Sequence, residues 1–284
     1  MKRLASQIKT FFHVFTKSMG SLDYYGELLE TPFKFSAKYF FTLLFLAATA
    51  VTSKEAVNIF RELEPNIKST LKNTISLYPN DLVIDIKDGE ATFSTQSPVL
   101  IKNPAYNSED KEEIPENLIL LDAEGKITDL KDKNALMVLN RKNLLIQEQN
   151  SVGTYPLTNV TDTKIDKTML QGGLESIKPF IKVIPYILTL ILLTAMFGYY
   201  VFSKGFYLVT VSCVLWGFAI LANERVKFSK LYQFAVHAMT LPIILEVVIG
   251  FASDNPHLSI LPSVLNIAIG VGGLFAATRK KIEE

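Results

Sequence analysis

Between Lys182 and Lys204, every residue of the run 183–203 is uncharged. A helix rises about 1.5 Å per residue, so roughly 21 such positions are as long as a bilayer's hydrocarbon core is thick. The run reads as a membrane span. A second apolar stretch, 35–51, precedes it, and its only charge, Lys38, stands near its start, where it can snorkel to the interface. Three more follow at 205–223, 231–251 and 258–278, joined by short connections at 203–204, 224–230 and 252–257, which imply antiparallel neighbours. Tyr199, Tyr200, Phe206, Tyr207 and Tyr232 fall near the ends of these stretches, where amphipathic rings are favoured. The expectation is an α-helical integral membrane protein of about five spans.

The polar block between the first and second apolar stretches needs a different reading. Hydrophobic residues are 49% of the chain, more than a soluble domain of 284 residues needs, yet 20% charge excludes a bare bundle of spans. The net charge of +1 hides an asymmetry, because residues 53–178 hold about 15 basic and 20 acidic residues and the remainder is basic. No concentrated basic face is left to neutralise phosphates, so nucleic acid is not an expected partner.

Periodicity divides that block. Ala56, Phe60, Leu63, Ile67, Leu71, Ile75 and Tyr78 recur at helical spacing, marking an amphipathic helix bent near Pro65. From Leu82 the period changes to two: Leu82, Ile84 and Ile86 alternate with Val83, Asp85 and Lys87, and Asp88-Gly89 follows. Asp-Gly between alternating strands is a strong hairpin signal, because both central residues of that turn need positive φ. Further strands read at 99–102, 118–122, 135–139, 143–148 and 154–157. The expectation is a β-rich soluble domain inserted between spans one and two. The organisation that follows is an interfacial amphipathic helix in 1–34, a first span at 35–52, the helix and β-rich domain at 53–178, and a four-span bundle at 179–284. The basic helix at the N-terminus suits an anionic cytoplasmic leaflet, which puts the β-rich domain outside.

Few residues suit chemistry. His13, His237 and His257 are far apart without metal-ligand spacing, the single Cys213 lies in an expected span, and no nucleophile or phosphate-loop signature occurs. No catalytic residue, metal or cofactor is expected. The acidic loop 108–116 lacks the ligand spacing of a calcium site. Within the apolar stretches, His237, Glu246 and Asn266 are the polar candidates, since such groups are costly in hydrocarbon. If the last two spans form an antiparallel hairpin about Asp254-Asn255, Glu246 falls level with Ser263 and within a turn of Asn266, and His237 falls level with Gly272, without a side-chain partner. Ala268, Gly272 and Ala276, each four apart, form a small-residue face for close helix packing.

The segments KSMGSLDYYGELLETPFKFSAKYFFTLLFL (17–46), IKDGEATFSTQSPVLI, LILLDAEGKI and FAVHAMTLPIIL (234–245) resemble a bacterial family of multi-pass membrane proteins of unassigned activity, domain of unknown function 1189. The resemblance implies one span, a β-rich domain and then a cluster of spans, and carries no catalytic residues. The expected setting is the bacterial cytoplasmic membrane, with the lipid bilayer and other membrane proteins as partners. The expected role is a non-enzymatic sensing, binding or assembly module. The alternative is a component of a transport system.

Overall fold

The computed structural model describes residues 2–104, 106, 115–125, 130, 134–148, 151–252 and 260–283. The chain divides into two compact units, Met1–Asn58 with Tyr186–Glu284, and Ile59–Pro185. The second unit starts seven residues after position 52 and ends at 185, later than the expected 53–178.

The first unit is helical. It contains α1 (Lys2–Gly20), α2 (Tyr24–Leu28), α3 (Phe33–Asn58), the later part of α5 (Lys167–Leu221), α6 (Phe228–Ala238), α7 (Thr240–Ala252) and α8 (Ile260–Glu283). Among the described residues, four helical stretches are long and apolar enough to cross a membrane: Phe33–Leu77, Lys167–Leu221, Phe228–Ala252 and Ile260–Arg279. This corrects the expected count of five. Nothing in Ser203-Lys204-Gly205 breaks the helix, because one glycine costs only about 1 kcal/mol and Lys204 finds a partner without a turn. A contact within this unit opposes a fifth crossing. Lys230 Nζ donates to the carbonyl oxygens of Leu28, at 3.2 Å, and Thr31, at 2.6 Å, so the segments before α3 and at the start of α6 share one end of the bundle. Five crossings would separate them. The later half of α8 is at that end too, where Gly272 and Gly273 approach Leu22 and Tyr25. At the other end, Lys54 Nζ donates to the Gly250 carbonyl at 2.9 Å.

The N-terminal region is more than an interfacial helix. Its apolar stripe divides: Val14 and Ser18 are buried and Phe11 and Phe15 pack on the core, whereas Ile8 and Phe12 stay exposed. Tyr24, Tyr25 and Leu28 of α2 are core residues. The expected fourth span is two helices, α6 and α7, meeting at Met239. Pro242 has no N–H for the carbonyl of residue 238, and the break falls at that turn.

The second unit begins where α3 gives way to a π-helical turn, Ile59–Leu63, and then α4 (Glu64–Leu77) with Pro65 in its first turn. None of the α4 side chains is fully buried; the helix end docks through Tyr78, whose hydroxyl donates to the Ile165 carbonyl at 3.1 Å. Eight strands follow among the described residues: β1 (Ile84–Lys87), β2 (Glu90–Phe93), β3 (Val99–Lys102), β4 (Asn117–Asp122), β5 (Ala135–Asn140), β6 (Asn143–Gln147), β7 (Val152–Pro156) and β8 (Thr163–Ile165). They form a three-stranded sheet in the order β2-β1-β8 and a five-stranded sheet in the order β3-β4-β5-β6-β7. The β1–β2 hairpin turns through Asp88 and Gly89, with φ of 50° and 77°, and Lys87 pairs with Glu90. A Cβ on Gly89 would lie 2.9 Å from the Thr158 Cα, so the position demands glycine twice over. Two features have no local signal. Strand β8 is three residues long, and β4 pairs parallel to β5 within an otherwise antiparallel sheet. Leu120 and Leu121, neighbours on β4, are both buried because opposite faces of the sheet are covered. Leu121 joins Leu82 and Ile84, while Leu120 joins Leu130 and Val138.

Candidate functional site

Two polar clusters occur within the helical unit, and each contains one of the expected candidates. The first surrounds His237, which has no solvent exposure. Its ring stacks on Tyr39, with centroids 4.7 Å apart and planes within 9°, and Phe35 lies nearly parallel to it at 6.2 Å. Nδ1 is 3.2 Å from Ser18 Oγ and 3.3 Å from the Tyr24 hydroxyl, and Nε2 is 3.0 Å from Ser36 Oγ. Both ring nitrogens therefore have hydroxyl partners. A neutral imidazole offers one N–H and one lone pair, and hydroxyls serve either role, so the site is satisfied without a charge.

The network extends along one face of α6. Gln233 Nε2 donates to Ser36 Oγ at 3.0 Å and to the Thr31 carbonyl at 3.2 Å. Thr240 Oγ1 donates to the His237 carbonyl at 2.7 Å and accepts from the Tyr39 hydroxyl at 2.8 Å. His237 thus has its partners on α1, α2 and α3, and not on the small-residue face of α8 around Gly272, which offers it no side chain. A signal was present: Gln233, His237 and Thr240 lie four and three apart within an apolar stretch, as Ser36 and Tyr39 lie three apart within another.

The expected packing face also shifts. Ala268 is exposed and Gly272 makes only an ordinary 3.5 Å approach to Leu22. The tight approaches are at Gly270, where a Cβ would lie 3.2 Å from Leu215, and at Gly273, where it would lie 2.5 Å from the Tyr25 ring. Ala277 is buried and Ala276 half-buried. The packed face is therefore Gly270, Gly273 and Ala277, offset by a residue or two from Ala268, Gly272 and Ala276.

The segments that make this cluster are 17–46 and 234–245, with Gln233 immediately before the second. Residues 12–275 match the family described as protein of unknown function (DUF1189). The chain belongs to that family. No curated protein and no solved structure matches it.

The second cluster of this DUF1189 chain surrounds Glu246. Lys204 Nζ donates to Glu246 Oε2 at 2.5 Å, and the ammonium lies 5.9 Å and 6.0 Å from the ring centroids of Tyr200 and Tyr207. The pair borders a cavity of about 200 Å³ lined also by Met239, Pro242, Ile243, Pro262 and Ser263. Glu246 and Ser263 do share a level, but the carboxylate's partner is Lys204, which sequence reasoning assigned to a turn. Asn266 is fully buried beside Tyr207, its amide without a hydrogen bond of good geometry among the described residues. The Tyr207 hydroxyl donates to the Ser263 carbonyl at 3.2 Å. The other two histidines add nothing to either site: His13 is exposed, and His257 lies outside the described residues, as do the Asp254-Asn255 turn and most of the acidic loop 108–116. No group of three or more His, Cys, Asp or Glu is placed to hold a metal among the described residues.

Proposed function

We propose that the protein is a non-enzymatic module of the bacterial cytoplasmic membrane, with its β-rich unit binding a partner outside the cell membrane and its helical unit serving as anchor. The orientation rests on charge. With four crossings, the short segments at one end of the bundle hold Lys2, Arg3, Lys9, Lys17, Lys34, Arg225, Lys227, Lys230, Arg279, Lys280 and Lys281, while the connection 253–259 at the other end holds no lysine or arginine. Lys54 of α3 stands at that other end as well, and the excess of basic residues is still at the first. Basic residues in short loops favour the cytoplasmic side. With five crossings the same residues divide almost evenly and the rule says nothing.

The observation that carries the binding reading is the outer strand β7. Among the described residues it pairs only with β6, and Val152, Thr154, Tyr155 and Pro156 are all exposed. An open strand edge is a ready template for another chain. The His237 cluster supports the non-enzymatic reading, being sealed from solvent, with hydroxyls and not carboxylates beside the imidazole among the described residues. A photo-cross-linking residue at Tyr155 in native membranes is expected to give one recurrent adduct. Adducts found only from positions in the helical unit would move the binding role to the bundle.

Transport is the second reading, favoured by an ion pair at a cavity within the apolar helices. In proteoliposomes, a proton-coupled flux abolished by Glu246→Gln in a folded protein would establish it.

A further inference from the structure

The Lys204–Glu246 cavity combines features that point to a ligand. It is open beside two opposite charges, and it has apolar walls from Met239, Ile243 and two prolines. We propose that the cavity binds the zwitterionic headgroup of a membrane lipid carrying a primary ammonium, the phosphate taken by Lys204 and the ammonium by Glu246.

Charge balance selects the class. Lys204 and Glu246 sum to zero, and a ligand of net charge entering between them would leave one charge uncompensated in a poorly solvated place, which is strongly unfavourable. A zwitterion replaces one ion pair by two and leaves nothing unpaired. A primary ammonium can donate hydrogen bonds to Glu246 and to other acceptors in a cavity that Ser263 also lines, which a trimethylated ammonium cannot do. The Tyr200 and Tyr207 rings that flank the Lys204 ammonium hold it at the cavity edge, so the cationic side of the site is already in place.

The lipid source follows from the surroundings. Phe202 and Phe206, on the opposite face of α5, are 72% and 77% exposed, which marks this level of the helix as facing acyl chains. A ligand reaching the site laterally comes from the bilayer. The inference rests on the bundle being embedded in a membrane. Its failure leaves that reading intact, because embedding is tested separately by labelling from outside the cell.

The test uses the full chain purified in detergent and mixed with equal amounts of phosphatidylethanolamine, phosphatidylcholine and phosphatidylglycerol of identical acyl chains. Native mass spectrometry then counts the lipids retained. The expected result is one phosphatidylethanolamine held about tenfold above phosphatidylcholine, falling to the phosphatidylcholine level in both Glu246→Gln and Lys204→Gln. Equal retention of the three lipids overturns the proposal, as does a preference that both folded variants keep. Should either variant fail to fold, Ser263→Ala serves in its place, expected to lower phosphatidylethanolamine retention several-fold; an unchanged preference there counts against the site. Glycerophosphoethanolamine, added at millimolar concentration, is expected not to displace the lipid. Binding of the soluble compound as tight as that of the lipid would overturn the lipid source.

Discussion

His237 shows how a polar residue is tolerated among apolar helices: each ring nitrogen meets a hydroxyl, and two aromatic rings cover the faces. His237→Ala removes both partners at once from Ser18 and Ser36 and opens a void between Tyr39 and Phe35. The expected loss is about 2–4 kcal/mol, read as a lower melting temperature of the detergent-purified protein. Adjacent glycines give a sharper test. Gly273→Ala forces a methyl group into the Tyr25 ring, which is fully buried and cannot swing aside, and is expected to cost about 1–3 kcal/mol. Gly272→Ala meets only the exposed Leu22 and is expected to cost little. Equal melting temperatures for the two variants would contradict the packing at α8.

At the scale of elements, the β-rich unit has two groups whose ionisation reports its folding. Burial raises the Tyr78 hydroxyl to about 12, so the folded state holds its proton more tightly than the unfolded chain does. Stability is then unaffected below the ordinary tyrosine range and falls as pH rises from there toward 12. The melting temperature of the β-rich unit should fall over that window and should do so far less in Tyr78→Phe. Glu90 behaves oppositely. Arg141 Nε and Nη2 donate to one of its oxygens at 3.0 Å and 2.8 Å and hold the carboxyl below its usual range. Its contribution is present at neutral pH and is lost as pH falls through the lowered value; being exposed, it is small. In the same unit, Gly89→Val is expected to cost about 1–3 kcal/mol, seen as faster exchange in β1 and β2.

Much of this unit was legible in advance, because strand alternation and the Asp88-Gly89 turn are local properties. The parallel β4–β5 pair was not. Its register depends on which faces are covered, and consecutive buried leucines on one strand record only that both are. In the helical unit the apolar stretches were plain, but where helices end was not. Lys204 reads as the end of a span when the rest of the chain is unknown, since a lone cation there lacks a partner. Glu246, 42 residues later, supplies one.

For the whole molecule, that single pairing changes the topology. On the proposed membrane reading, a helix continuing through Lys204 counts four crossings instead of five, which puts both termini on one side and the scattered basic residues at one end of the bundle. Lys230 against Thr31 ties the start of α6 to the segment before α3. The segments 17–46 and 234–245 meet around His237, so the N-terminal helices are built into the bundle. Labelling with a membrane-impermeant maleimide tests this account most directly. In a Cys213→Ser background, Lys87→Cys on the β-rich unit should react in intact cells, whereas Ser229→Cys at the start of α6 and Glu30→Cys before α3 should react only after the membrane is permeabilised. Reaction of Ser229→Cys in intact cells while Glu30→Cys stays protected would mean five crossings and would contradict the account.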